Sequence, residues 1–126
     1  MGYKLIALDI DGTIRDVDHP ISPRTRSAVE RVAQEGAAVT LATGRMFQSA
    51  LASAAELNLT SPIVTDQGAQ IAHPATGEVL WNRPLTPVMA TAALDALATW
   101  QGDVLACRGA QVYVDELTPW VEGYGQ

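Results

Sequence analysis

Three short apolar runs, each closing on a polar turn that contains glycine, constrain this chain more than any other feature. Lys4 to Ile10 reads K-L-I-A-L-D-I and stops at Asp11-Gly12; Ala37 to Ala42 reads A-A-V-T-L-A and stops at Thr43-Gly44-Arg45; Ile63 to Thr65 stops at Asp66-Gln67-Gly68. The first run is apolar on both faces, the pattern of a strand buried within a parallel sheet. Between the first two runs, S-P-R-T-R-S-A-V-E-R-V-A-Q-E-G offers Ser22 as N-cap, Pro23 at the first helical position, an apolar stripe of Ala28, Val29, Val32 and Ala33, and Gly36 as terminator. A second helix of about a dozen residues is expected from Met46 to Leu57 by apolar spacing. Strands alternating with helices predict an α/β fold with a right-handed, mostly parallel sheet.

Beyond Gly68 the rhythm changes. Ala69 to Ala72 and Glu78 to Trp81 flank H-P-A-T-G and predict a β-hairpin. Thr86-Pro87 starts a helix expected to reach about Gln101, and Asp103 to Ala106 with Gln111 to Val114 flank Arg108-Gly109 as a second hairpin. The switch places a boundary near residues 82 to 86, dividing the chain into 1–83 and 84–126.

Composition narrows the partners. Fourteen acidic and eight basic side chains leave a formal charge of −6, which argues against a nucleic-acid backbone or an anionic membrane surface as partner. One cysteine permits no internal disulfide, and the N-terminal residues carry no signal-peptide pattern or membrane-length apolar run, so the cytoplasm is the expected compartment. Seven of the eight basic residues are arginines, and Lys4 is the only lysine.

In open α/β sheets the ligand site lies beyond the carboxyl ends of the strands, where the three turns fall. Asp9 and Asp11 flank Ile10, and their side chains point the same way if strand alternation continues through Asp11. Two converging carboxylates repel unless a cation lies between them, and Mg²⁺, which takes few protein carboxylates and completes its shell with water and phosphate oxygens, suits the position. One aspartate beside a second that exchanges a proton suits phosphoryl transfer. The Thr43 hydroxyl and the Gly44 N–H at a helix start suit phosphoryl oxygens.

The motif D-I-D-G-T at 9–13, followed by L-A-T-G-R at 41–45, resembles the first two motifs of the haloacid dehalogenase-like (HAD) hydrolases, and most of all the Cof-type phosphatase subgroup. A chance D-x-D-G-T match has a probability on the order of one in a thousand in a chain of this length. V-Y-V-D-E-L-T-P at 112–119 also looks like the early cap of that subgroup. The resemblance implies a partial Rossmann-like core followed by the start of an α+β cap, and Mg²⁺-dependent hydrolysis of a small phosphorylated metabolite, such as a sugar phosphate, through an aspartyl-phosphate. It implies Asp9 as nucleophile and metal ligand, and Asp11 as general acid/base with its main-chain carbonyl on the metal. Thr43 would hold the phosphoryl group, with Gly12, Gly44, Arg45 and Gln67 also expected at the phosphate or substrate.

Two departures stand out. Gln67-Gly68-Ala69 replaces the subgroup's N-G-A, and the third-motif lysine and fourth-motif carboxylates of the family have no counterpart: Lys4 lies a strand length from Asp9, and Gly102-Asp103 is followed by V-L-A-C. The expectation is therefore a chain truncated within its cap, with little or no turnover alone and an uncovered sheet edge that invites self-association. A phosphomutase and a non-catalytic module that binds phosphate or a partner remain as alternatives. Arg45 is divided evenly between reaching substrate and pairing with the aspartates. Plainer roles are expected elsewhere: Asp16 and Asp18 in a solvated loop, His19 and His73 as structural turn residues, Cys107 as a small buried side chain, and Trp81, Trp100 and Trp120 in packing.

Overall fold

The computed structural model describes residues 2–16 and 19–124, so Asp18 lies outside the described residues. The chain divides into two compact units, Met1–Arg83 and Pro84–Gln126. The first holds strand β1 (Leu5–Leu8), helix α1 (Pro23–Gln34), β2 (Ala38–Leu41), α2 (Phe47–Glu56), β3 (Ile63–Thr65), a 3-10 turn (Asp66–Gly68), β4 (Gln70–Ala72) and β5 (Val79–Asn82). Strands β1 and β2 pair in parallel, Leu5 opposite Ala38 through Leu8 opposite Leu41. A parallel bridge between Ala42 and Val64 links β2 to β3, after which β3, β4 and β5 form an antiparallel sheet. The α/β fold with a parallel sheet is thus present, although the third run contributes one parallel bridge and spends its ladder on the hairpin.

Local chemistry sets the helices. The Ser22 hydroxyl accepts the Thr25 N–H at 3.1 Å and Pro23 opens α1; such a cap contributes about 1 kcal/mol. Helix α2 starts directly after Thr43-Gly44-Arg45, with Met46 in the N-cap position and no side-chain cap. Ile10, Ile14, Ile21, Val29, Val39, Leu41, Ala50, Ala54, Leu57 and Ile63 form one buried cluster between the helices and the sheet, with Leu8, Val32, Phe47 and Leu59 packed against it.

Strand β1 departs from the expectation of burial on both faces. Ile6 and Leu8 turn toward the core, whereas Leu5 and Ala7 are exposed. Only the face that carries Leu8 packs against the buried cluster; in the plane of the sheet β1 pairs, among the described residues, only with β2 and so is an edge strand.

The second unit contains α3 (Pro87–Leu97), β6 (Ala106–Arg108), β7 (Gln111–Tyr113) and α4 (Pro119–Tyr124). Helix α3 is shorter than expected. The chain turns after Leu97, whose carbonyl accepts the Trp100 N–H at 2.8 Å, before Gly102. The hairpin's first strand is displaced toward the C-terminus, whereas its second begins at Gln111 as expected. Arg108 pairs with Gln111 around the two-residue loop Gly109-Ala110, with Gly109 at φ +60°, because a two-residue hairpin loop needs a residue tolerant of positive φ. None of residues 84–122 is buried, since a unit this small cannot enclose a core of its own. Two packing expectations fail as a result. Cys107 is exposed, and Trp100 and Trp120 stand 65% and 58% exposed. Trp81, on β5 of the first unit, is also exposed (44%), like every residue of that strand, which ends the three-stranded sheet. Among the described residues no helix is long and apolar enough to cross a membrane.

Candidate functional site

The three turns meet at the carboxyl ends of the strands. Ile10 is wholly buried while Asp9 and Asp11 on either side of it are exposed, so the strand's alternation of faces continues past the last ladder pair. The chain then folds back tightly. The Ile10 carbonyl accepts the N–H groups of Thr13, Ile14 and Arg15 at 3.3, 3.1 and 3.0 Å, and the Gly12 N–H donates to the Arg15 carbonyl at 2.9 Å. Gly12 stands at φ +73°, in the left-handed region that residues with a Cβ avoid.

Arg45 joins the first turn to the second. Its Nε and Nη2 donate to the two carboxylate oxygens of Asp11 at 2.8 and 2.6 Å, a bidentate pair. Pairing with an aspartate, one of the two roles expected of Arg45, is present. These hydrogen bonds are the chief cause holding the Asp11 carboxyl below its ordinary value of 3.8; partial burial opposes them, and the charges of Arg45 and then Arg15 add to the lowering. The pair's stabilisation is present above pH 3.8 and is lost as pH falls through the lower folded-state value. With Asp11 half exposed, it is worth no more than about 0.5 kcal/mol. Arg45→Met should return Asp11 toward 3.8, readable by carboxyl-carbon NMR. An unmoved titration would show that the guanidinium is not the cause.

Thr43 is buried; its N–H donates to the Val64 carbonyl at 3.0 Å and its hydroxyl oxygen accepts the Arg45 N–H at 3.2 Å. The hydroxyl proton remains available to another acceptor. The third turn closes over Gly44. The Gln67 carboxamide lies where a Cβ at Gly44 would stand, so a larger residue at 44 would displace that side chain. The Asp66 N–H donates to the Arg45 carbonyl at 2.8 Å. Asp66 and Gln67 both stand at φ +54°, a strained conformation of the kind stored at functional sites. Asp9, Asp11, Gly12, Thr43, Gly44, Arg45 and Gln67 therefore share one end of the first unit.

The Asp9 carboxylate makes no hydrogen bond or ion pair among the described residues. Nor do three His, Cys, Asp or Glu side chains converge among them. Two contributors escaped the sequence reading. Arg15, a second cation acting on Asp11, was signalled only by opposite charge four residues away. Asp66 owes its place to a backbone conformation that residue type does not announce. Asp16 is exposed in the loop, 3.9 Å from His19, and the His73 main chain closes the β4–β5 hairpin by exchanging hydrogen bonds with Glu78 and Gly77.

Comparison with known proteins gives the family and the fold. The family profile of haloacid dehalogenase-like hydrolases matches residues 6–122. The chain is 40% identical over 79 residues to the 5-amino-6-(5-phospho-D-ribitylamino)uracil phosphatase YitU of Bacillus subtilis, covering 63% of this chain and 28% of that protein. It is 31% identical over 120 residues to the HMP-PP phosphatase of an Enterobacter species, covering 95% of this chain and 41% of that one. A solved haloacid dehalogenase-like hydrolase from Bacteroides thetaiotaomicron superimposes with a TM-score of 0.77 at 27% identity, over 97% of this chain and 47% of its own. The chain spans less than half the length of each of these relatives. With the strand-end turns assembled as described and the profile matched over nearly all its length, the chain belongs to the haloacid dehalogenase-like hydrolase family.

Proposed function

We propose that the strand-end site carries out phosphoryl transfer from a small phosphorylated metabolite, with water as final acceptor. The observation that carries this reading is the pairing of an exposed Asp9 carboxylate, unengaged among the described residues, with an Asp11 held by Arg45 beside the buried Thr43 hydroxyl. An Asp9 oxygen attacks phosphorus as the bond to the leaving oxygen breaks, and a proton from Asp11 neutralises that oxygen. Water then attacks the aspartyl-phosphate, giving its proton to Asp11, and inorganic phosphate leaves as Asp9 is restored. The Thr43 hydroxyl donates to a phosphoryl oxygen, with the Gly44 N–H and Gln67 carboxamide at the same end. Arg45 holds Asp11 ionised in this arrangement, so its guanidinium moves to the phosphoryl group before Asp11 acts as an acid.

The residues fit Mg²⁺: the exposed Asp9 carboxylate, without a partner among the described residues, would hold the ion together with the Asp11 main-chain carbonyl, as the family resemblance implies. The ion would offset the negative charge of carboxylate and phosphate. Residues 84–126 are read as belonging to an α+β cap. The names of the relatives, phosphatases of small organic phosphates, support the substrate class.

A second reading, a phosphate-binding module without turnover, is favoured by one observation. Lys4 precedes β1 while Asp9 follows it, placing the only lysine about 16 Å away along the strand. Charge neutralisation is the main catalytic demand of phosphoryl transfer. The 126-residue chain is therefore expected to bind Mg²⁺ and trifluoroberyllate, a mimic of the aspartyl-phosphate, as read by fluorine NMR, while hydrolysing p-nitrophenyl phosphate barely above background. Absence of binding would sink both readings; rapid hydrolysis would sink the second.

The exposed Tyr3, Leu5 and Ala7 beside the outer edge of β1 form a surface suited to strand addition. The chain should self-associate as its concentration rises, and sedimentation equilibrium showing a monomer throughout would refute this.

A further inference from the structure

Glu56, the last residue of α2, stands 41 positions from the loop that follows β1, yet it holds that loop. Arg15 Nη2 donates to Glu56 Oε2 at 3.0 Å, and Arg26 Nη1 of α1 lies 3.5 Å from Glu56 Oε1. The Glu56 and Arg15 side chains are only 19% and 26% exposed. Arg15 Nε is buried without a hydrogen-bond partner, so this guanidinium is largely desolvated, and Glu56 is the only carboxylate paired with it among the described residues. Removing one partner of such a pair costs more than the pair itself contributes, because the other charge is left uncompensated.

Arg15 is also the residue that closes the loop, since its N–H reaches the Ile10 carbonyl and its carbonyl takes the Gly12 N–H. Helix α2 begins just after Thr43-Gly44-Arg45 and ends at Glu56. One rigid helix therefore carries the second turn at its N-terminal end and grips the first turn's loop at its C-terminal end.

We infer that Glu56 is a positioning residue that acts through Arg15 to hold the Asp9–Arg15 loop in register with the Thr43–Arg45 turn. Its relevance to binding rests on the phosphoryl-transfer reading; its hold on the loop does not. Neither residue touches the reacting atoms. The role is to keep Asp9 and Gly12 ordered before a ligand arrives, so that binding does not have to order them.

The experiment compares the 126-residue chain with Glu56→Gln and Arg26→Gln by amide hydrogen exchange and by titration with trifluoroberyllate and Mg²⁺. In Glu56→Gln the Thr13, Ile14 and Arg15 amides should exchange about tenfold faster, the loss of one charged hydrogen bond. The Ala42 amide, bonded to the Leu8 carbonyl across the sheet, should be unchanged. Trifluoroberyllate should bind about tenfold more weakly. Arg26→Gln, which leaves the Arg15–Glu56 bond in place, should alter neither. Unchanged loop exchange in Glu56→Gln, an equal acceleration at Ala42, or the same effects from Arg26→Gln would each overturn the inference. If the loop loosens as expected but the unsubstituted chain binds no trifluoroberyllate, the phosphoryl-transfer reading fails and the positioning of the loop by Glu56 stands.

Discussion

Asp9→Asn is expected to weaken Mg²⁺-dependent trifluoroberyllate binding by the 126-residue chain at least about a hundredfold, the scale of losing one charge-stabilising group in a preorganised site. The amide preserves the side chain's shape but removes the anionic oxygen that bonds to beryllium in place of phosphorus, and lowers the charge that attracts the cation. Asp9 is exposed and engages no partner among the described residues, so the thermal midpoint should barely move, in keeping with surface substitutions that cost within about 0.5 kcal/mol. A large functional loss with no loss of fold is the signature sought. Fluorine NMR measures the first and calorimetry the second; undiminished binding by the asparagine variant would place the nucleophile elsewhere.

Ile10→Ala should be the most damaging substitution for the fold. Ile10 is fully buried within the main cluster, and cutting such a side chain back to Ala costs about 2–5 kcal/mol from lost transfer energy and the cavity left behind. Domains are commonly stable by about 5–15 kcal/mol, so this one change removes a large share of that margin. Urea denaturation with an unchanged slope and a lower midpoint is the expected result. A cost below about 1 kcal/mol would mean the site can collapse around the missing atoms or that Ile10 is not packed as described. The two aspartates flank this side chain, so their outward direction depends on its anchoring inward.

Much of this architecture was legible because it is encoded within a few residues. Ser22-Pro23 starts α1 through a cap and a fixed φ, and Asp11-Gly12 turns because glycine accepts positive φ. The D-I-D-G-T and L-A-T-G-R motifs are equally local. The displaced β6 strand and the shortened α3 show where local signals compete. Arg108-Gly109 and Gly109-Ala110 are both reasonable turns by composition, and ladder pairing selected the second. Alanine-rich α3 buries none of its residues, and the chain turns after Leu97.

The sequence by itself determined the α/β class and which polar turns stand at the strand ends, because periodicity, caps and turn chemistry act over short distances. Only the tertiary structure decided which of those residues touch. It put Arg45 on Asp11, set the Gln67 carboxamide beside Gly44, joined Arg15 to Glu56 across 41 positions, and left one face of an all-apolar strand exposed. Such contacts depend on which segments pack side by side, and no spacing along the chain records that.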